Sequence, residues 1–384
     1  MRDVIKSFFL FVKKMSSKLA TNDDHLQEPP SLMNSLPDDI LLDCVARLPR
    51  SYYPILSLVS KQCRSLVTSP ELYRRRSFLG YEEHCLYVAI SENIETSNIH
   101  WYTLARKPND KLWLVPIPSL PPMPLHGSYV VKGSSIYVMG GFHQWQRGLI
   151  TPNVSRIDCV SHMAEPLTRM PKAVAASVSA LVDGKIYVIG GSDTRSRQLK
   201  STSKRIMVFD TEAQTWEVRK RPDWEVGRRW LSSVEIAGKI YMMSFRNSYV
   251  YEPKEGICET DPILHSENWS NSCVIEDVLY YYDDRNNFLR AYDPKERVWR
   301  VVYGVQLGLF YDGTWSYTHT QRVNGKKLAV FLHKVDALNK TKEIWCAEIA
   351  LEKREGGKMW GKVECYDLVL NGKSRIMKCL AVKL

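Results

Sequence analysis

Several signatures of catalysis, metal binding and membrane insertion are missing from this sequence of 384 residues. No C-x-x-C occurs among its nine cysteines, and no two have zinc-finger spacing. Odd in number and dispersed, they read as small buried hydrophobes of a reduced intracellular compartment, not as a disulfide framework. There is no HExxH, and the nine histidines are scattered, so no metal site is indicated. A Gly-x-Ser-x-Gly nucleophile elbow is absent. The Gly-Gly doublets lack the Lys-Ser/Thr and following helix of a phosphate loop, which leaves a turn or bulge ending a strand. No window approaches 18 apolar residues, which excludes a spanning helix. The apolar Phe8-Phe-Leu-Phe-Val12 is too short to span. The net charge of +11 contains no run of five like charges. It is spread as 12 basic against 8 acidic residues over the first 80, and 41 against 34 in the rest. That distribution does not indicate nucleic-acid binding, and a solvated basic surface or an acidic partner is the simpler reading. Three Asn-x-Ser/Thr sequons, at Asn153, Asn268 and Asn339, matter only to a secreted chain.

What is present is a globular composition with many aromatics. Eleven Trp and twenty Tyr suit pleated, half-buried sheets. The length predicts a small domain plus a large all-β one. Residues 1–32 read as a flexible N-terminal extension, polar around Pro29-Pro30. Residues 33–78 read as a small all-α module, with helical periodicity over 35–78. Pro37 suits a first helical turn, and Asp38 and Asp39 favour the positive end of the helix dipole. Ile40, Leu41, Cys44, Val45 and Leu48 then form an apolar stripe that Pro49 stops. Ile55, Leu56, Leu58, Val59, Cys63, Leu66 and Val67 imply another helix or two, and Ser69-Pro-Glu71 opens a short one through Arg76. Such a module, about 45 residues long, is marginal alone, so its apolar faces are expected to pack against a partner as well.

From residue 84 to 384 the pattern is short strands, and it repeats. Gly133-Ser-Ser-Ile-Tyr-Val-Met-Gly-Gly141 is followed by Gly184-Lys-Ile-Tyr-Val-Ile-Gly-Gly191 and Gly238-Lys-Ile-Tyr-Met-Met243. Asp277-Val-Leu-Tyr-Tyr-Tyr282 and Gly325-Lys-Lys-Leu-Ala-Val-Phe331 continue the series, and Cys85-Leu-Tyr-Val-Ala-Ile90 is a weaker early copy. Intervals of roughly 39–54 residues are those of propeller blades. Phe209-Asp210 precedes Trp216 by the offset at which Tyr292-Asp293 precedes Trp299, which predicts a strand, an Asp-initiated turn and a returning strand. One repeat is then a four-stranded meander over about 175–182, 185–191, 205–211 and 215–220. The expected architecture is a β-propeller of about six blades, closed by Met377-Lys-Cys-Leu-Ala-Val382 pairing with the first blade. Asp283-Asp284 reads as a hairpin tip, not as paired carboxylates.

Leu36-Pro-Asp-Asp-Ile-Leu-Leu-Asp43, Arg47-Leu-Pro49, Leu56-Ser-Leu-Val-Ser-Lys61 and Arg64-Ser-Leu66 resemble the F-box without a gap. The strand-Gly-Gly repeats, with Gly140, Gly141, Gly190 and Gly191 and downstream Trp216 and Trp299, look like kelch repeats. Their order resembles the plant F-box/kelch-repeat family over about residues 33–384. The resemblance implies a non-catalytic substrate receptor of a ubiquitin ligase, cytoplasmic or nuclear, with no cofactor. Its F-box would dock a Skp-type adaptor, and through it a cullin scaffold, while the propeller captures a protein for ubiquitination and degradation. By match to the family pattern, Leu36, Pro37, Ile40, Leu41, Leu48, Pro49, Leu56 and Val59 would face the adaptor. Departures exist. Cys63 stands where the family carries an aromatic, Ser244-Phe245 and Asp283-Asp284 replace Gly-Gly, and Ala164 and Cys258 replace the downstream Trp. The alternative is a kelch scaffold or ligand-binding propeller acting outside a ligase, which Cys63 favours. A copper-radical oxidase, known among kelch propellers, needs a Cys–Tyr–His constellation that cannot be assembled here.

In kelch propellers one face is built by the loops after each second strand and those leading into each first strand. Here 142–155 and 192–205 are the longest, with 218–230 contributing. Trp145, Arg195, Arg197, Arg228, Arg229 and Trp230 are therefore the candidate substrate contacts, since Arg and Trp anchor interfaces and Arg pairs with carboxylate or phosphate. They predict an acidic or phosphorylated protein segment as the substrate. The competing reading of 192–205 is a solvated basic loop.

Overall fold

Ala175–Val182, Lys185–Ser192, Arg205–Asp210 and Thr215–Lys220 pair antiparallel in sequence order as one four-stranded sheet. The computed structural model describes residues 37–91, 99–107, 109–142, 149–192, 205–220, 230–307, 315–335, 342–354, 358–372 and 374–384. These group into two compact units, one running through Glu83 and including Leu384, the other His84–Lys383.

The second unit is a six-bladed propeller. Blade 2 starts at Ser128 and ends at Leu167, and blade 3 is the sheet above. Blade 4 spans Trp230–Ile236 to Ile257–Thr260, and blade 5 Cys273–Ile275 to Val298–Val302. Blade 6 is built from the long strands Trp315–Arg322, Lys327–Val335, Lys342–Lys353 and Met359–Gly372. Blade 1 takes three strands from the start of the unit, His84–Ser91, Ile99–Arg106 and Leu112–Pro116. Its innermost strand comes from the chain end, Arg375–Lys383, which pairs with His84–Ser91. That pairing closes the ring and gives His84–Ser91 a partner strand on both sides.

Local chemistry explains why the meander repeats. The first hairpins of blades 3, 4 and 5 turn on two residues with positive φ: Asp183-Gly184, Ala237-Gly238 and Glu276-Asp277. Such turns match the twist of the paired strands. The last hairpins of blades 2 to 5 use four-residue loops ending at positive φ on His162, Gln214, Gly256 and Arg297. The Asp that starts the turn accepts backbone N–H bonds, from Glu212 and Ala213 at 3.0 Å for Asp210, and from Lys295 at 2.9 Å for Asp293.

The apolar core lies between blades. One cluster joins Val178, Tyr187 and Ile206 of blade 3 to Trp230, Met242 and Tyr249 of blade 4. Another joins Ile236 and Tyr241 of blade 4 to Tyr281 and Tyr292 of blade 5 around the buried Trp269. Similar clusters link blades 2 and 3, 5 and 6, and 6 and 1. Each sheet thus buries its faces only by stacking on neighbours, which is why one repeat cannot stand alone.

The first unit contains helices Asp38–Ala46, Tyr53–Leu56, Lys61–Val67 and Pro70–Leu79. Ser60 and Ser69 cap the last two by accepting from Cys63 N at 3.0 Å and Glu71 N at 3.2 Å. The second apolar run is broken into two helices because Ser60 is extended and starts a new one. The final helix runs past Arg76 to Leu79 and ends on Gly80 at φ 72°.

Candidate functional site

The helical unit closes on a small core of Leu41, Cys44, Val45, Ala46, Tyr53, Leu56, Cys63, Val67 and Leu72. Beneath it sits Arg76, whose side chain is 1% exposed. Its Nη1 donates to Ala46 O at 3.0 Å, Leu48 O at 2.5 Å and the Tyr53 hydroxyl at 2.9 Å. Its Nη2 lies 3.2 Å from Glu83 Oε1, and Glu83 Oε2 accepts from Arg50 N at 3.2 Å. One guanidinium therefore satisfies the carbonyl end of the first helix and the Leu48 carbonyl beyond it. Burial pushes the Tyr53 phenol up to about 12, so it stays protonated and donates weakly to Val45 O at 3.4 Å. Arg75 pairs with Asp43 and holds its carboxyl below the usual range.

This geometry revises the residues expected to face an adaptor. Leu41 and Leu56 are 1% and 4% exposed and belong to the unit's own core, so they support the surface from beneath and do not form it. Pro37 and Pro49 are exposed, and Ile40, Leu48 and Val59 are half-buried. Leu36 lies outside the described residues. Sequence reasoning missed Leu58, which is 67% exposed, along with Tyr52 and Phe78. The stripe of Ile55, Leu56, Leu58 and Val59 could not say which members turn outward, because the helix stops at Leu56. Cys63 is fully buried, so the thiol in place of an aromatic alters internal packing.

In the propeller, Gly140, Gly141, Gly190 and Gly191 end second strands where the next blade begins. A Cβ on Gly140 would lie 2.3 Å from Val174 O, and one on Gly190 would lie 1.9 Å from Trp230 Nε1. Trp216 donates its indole N–H to Thr168 O at 3.0 Å, and Trp299 to Ile263 O at 2.9 Å. Each ties its outer strand to the chain arriving from the preceding blade. Where Gly-Gly is replaced, the turn is closed by side chains. Ser244 Oγ accepts from Asn247 N at 3.1 Å, and Asp283 accepts from Arg285 N at 3.1 Å. Asp283-Asp284 is thus a turn, as its sequence implied. Ala164 and Cys258 leave blades 2 and 4 complete as sheets.

The loops after second strands and the connections between blades emerge at one end of the sheets. Trp145, Arg195, Arg197, Arg228 and Arg229 lie outside the described residues. Trp230 is corrected: it is 7% exposed and packs on Gly190 and edge-to-face on Tyr249, 5.7 Å between centroids. As a core residue it cannot present an exposed anchor. Arg205, Arg246, Arg285 and the 63%-exposed Phe245 are among the exposed groups described at that end. Among the described residues, no three His, Cys, Asp or Glu side chains are placed to hold a metal, and no helix is long and apolar enough to cross a membrane.

Comparison with known proteins matches these units separately. The family model of the F-box domain matches residues 33–75, and that of the FKB95 kelch-repeats domain matches 101–370. An F-box/kelch-repeat protein of Arabidopsis thaliana is 55% identical over 93% of this chain and 96% of its own. A putative F-box/kelch-repeat protein of the same plant is 40% identical over 95% of this chain and 100% of its own. A third, also an F-box/kelch-repeat protein of that plant, is 38% identical over 90% of each.

Proposed function

The chain belongs to the F-box/kelch-repeat family, and from that premise we propose that it is the substrate-recognition subunit of a Skp–cullin–F-box ubiquitin ligase. The observation that carries the reading is the helical unit. It spends its best apolar residues on a core of nine side chains and still exposes Leu58, Tyr52, Pro37 and Pro49. Exposed apolar groups on so small a unit are what an adaptor would cover.

The chain itself carries out no chemistry in this account. Its work is proximity. The helical unit holds the adaptor and, through it, the cullin, while the loop end of the propeller holds the target. Tethering raises the target's effective concentration at the ubiquitin-charged conjugating enzyme. The basic groups at that end favour an acidic or phosphorylated segment of the target protein. Nine free thiols fit a cytoplasmic or nuclear setting.

The test is a stability comparison in cells. Proteins captured by the propeller should fall when the full chain is expressed and accumulate when a chain lacking residues 33–78 is expressed. Equal levels in both would remove the ligase reading and leave a scaffold.

A further inference from the structure

The six innermost strands converge on a cavity of about 550 Å³ along the propeller axis. Its wall is polar because small hydroxyl residues let the strands approach and bridge one another. Ser128 and Ser177 hydroxyls meet at 2.7 Å, Ser233 donates to Ser179 O at 2.9 Å, and Asn271 Nδ2 donates to Thr318 O at 3.2 Å. A packing role accounts for these groups. It does not account for Lys378 and Ser272.

Lys378, on the ring-closing strand, lines the cavity, and burial pushes its ammonium below the ordinary lysine range. No carboxylate among the described residues forms an ion pair with it. The one carboxylate lining the cavity, Glu235, accepts from Gly238 N at 2.7 Å in its own hairpin turn. His319, also on the wall, is held neutral chiefly by burial, with the Lys378 ammonium nearby adding to it. Ser272 Oγ is buried and lacks a hydrogen-bond partner among the described residues, and Ser272 lines the same space. A half-buried unpaired charge and an orphaned hydroxyl each cost free energy, and a bound molecule that satisfies them would recover it.

We propose that this axial cavity binds a small hydroxylated organic anion, with its oxyanion on Lys378 and its polar body against Ser272 and the serine ring. The donor and acceptor chemistry sets that class. Lys378 offers donors to an oxyanion, with the Ser272 hydroxyl beside the same space. Ser233, whose own proton is committed to Ser179 O, keeps lone pairs that accept from ligand hydroxyls. The volume lies within the range of small-molecule sites. Either a carboxylate or a phosphate would serve as the head group.

The experiment is ligand-observed NMR and calorimetry on the full chain with gluconate, glucose 6-phosphate and glucitol, the last a neutral polyol. Gluconate or glucose 6-phosphate should bind, and whichever binds more tightly identifies the head group. Glucitol should not bind. Lys378→Met should weaken the anions at least about tenfold, with a Tm no lower than wild type because an unpaired, half-buried cation is gone. As a readout independent of the variant's folding, the wild-type Tm should rise with the bound anion and not with glucitol. Failure of both anions to bind overturns the proposal. So does binding of glucitol as tight as the anions, or unchanged affinity in Lys378→Met.

Discussion

Arg76→Ala is the most informative single substitution in the helical unit. The guanidinium donates to two carbonyls and one hydroxyl and pairs with Glu83, all while 1% exposed. Hydrogen bonds to a charged donor contribute about 1.5–3 kcal/mol each, and the carbonyls left behind remain buried. Deleting the charge also relieves its own desolvation, so a net loss of about 3–5 kcal/mol is expected, as for one partner of a buried pair. At roughly 0.05–0.15 kcal/mol per residue, a unit of about 45 residues has about 2–7 kcal/mol in all. The substitution should therefore unfold the helices or nearly so. Glu83→Gln leaves the buried guanidinium without its counter-ion but keeps its bonds to the two carbonyls and the Tyr53 hydroxyl, so it should cost less, about 1–3 kcal/mol. Hydrogen exchange read by peptide decides the matter. In Arg76→Ala, residues 38–79 should lose protection while the propeller strands keep theirs, and adaptor binding should fall with it. Unchanged protection of residues 38–79 would refute the reasoning, since the buried guanidinium would then be dispensable.

Two further predictions concern the propeller. Gly190→Ala places a Cβ 1.9 Å from Trp230 Nε1 at φ 74°, whereas Gly184→Ala at φ 76° meets open space. Chemical denaturation should show a loss above about 3 kcal/mol for the first and about 1 kcal/mol for the second, and equal losses would contradict the cross-blade contact. Burial, with Arg375 and Lys342 nearby, pushes His333 down to about 4. The unfolded chain takes up this proton below about pH 6.5 while the folded chain refuses it until about 4, so stability falls as pH drops through that window. The loss attributable to His333 is at most about 3 kcal/mol. A His333→Asn variant should lose less stability than wild type from pH 6.5 to 4, and a parallel decline would count against it.

The sequence and the structure agree best where one residue's local chemistry decides the backbone. Strand boundaries of blade 3 follow Asp183-Gly184 and Asp210, because a two-residue turn and an Asp-capped loop each fix register. The ring closure at 377–382 was legible because a lone terminal strand must find an edge. Side-chain direction was harder to read. Leu41 and Ile40 are neighbours in one motif, yet one is core and the other half-buried. Trp230 looked like an anchor from its neighbours Arg228 and Arg229, but the glycine it packs on lies 40 residues away in sequence. Arg76 left no local signal, since its partners at Ala46, Leu48 and Tyr53 come together only in the fold. Lys378 was hidden inside the run that closes the ring.

The most direct test of the receptor account is complex formation between the full chain and a Skp-type adaptor, followed by gel filtration. The account predicts a stable one-to-one complex that is lost in Ile40→Asp/Leu58→Asp, a variant altering outward or half-buried apolar groups, while the propeller remains folded. A folded wild-type chain that elutes alone, or a variant that still binds, would contradict it.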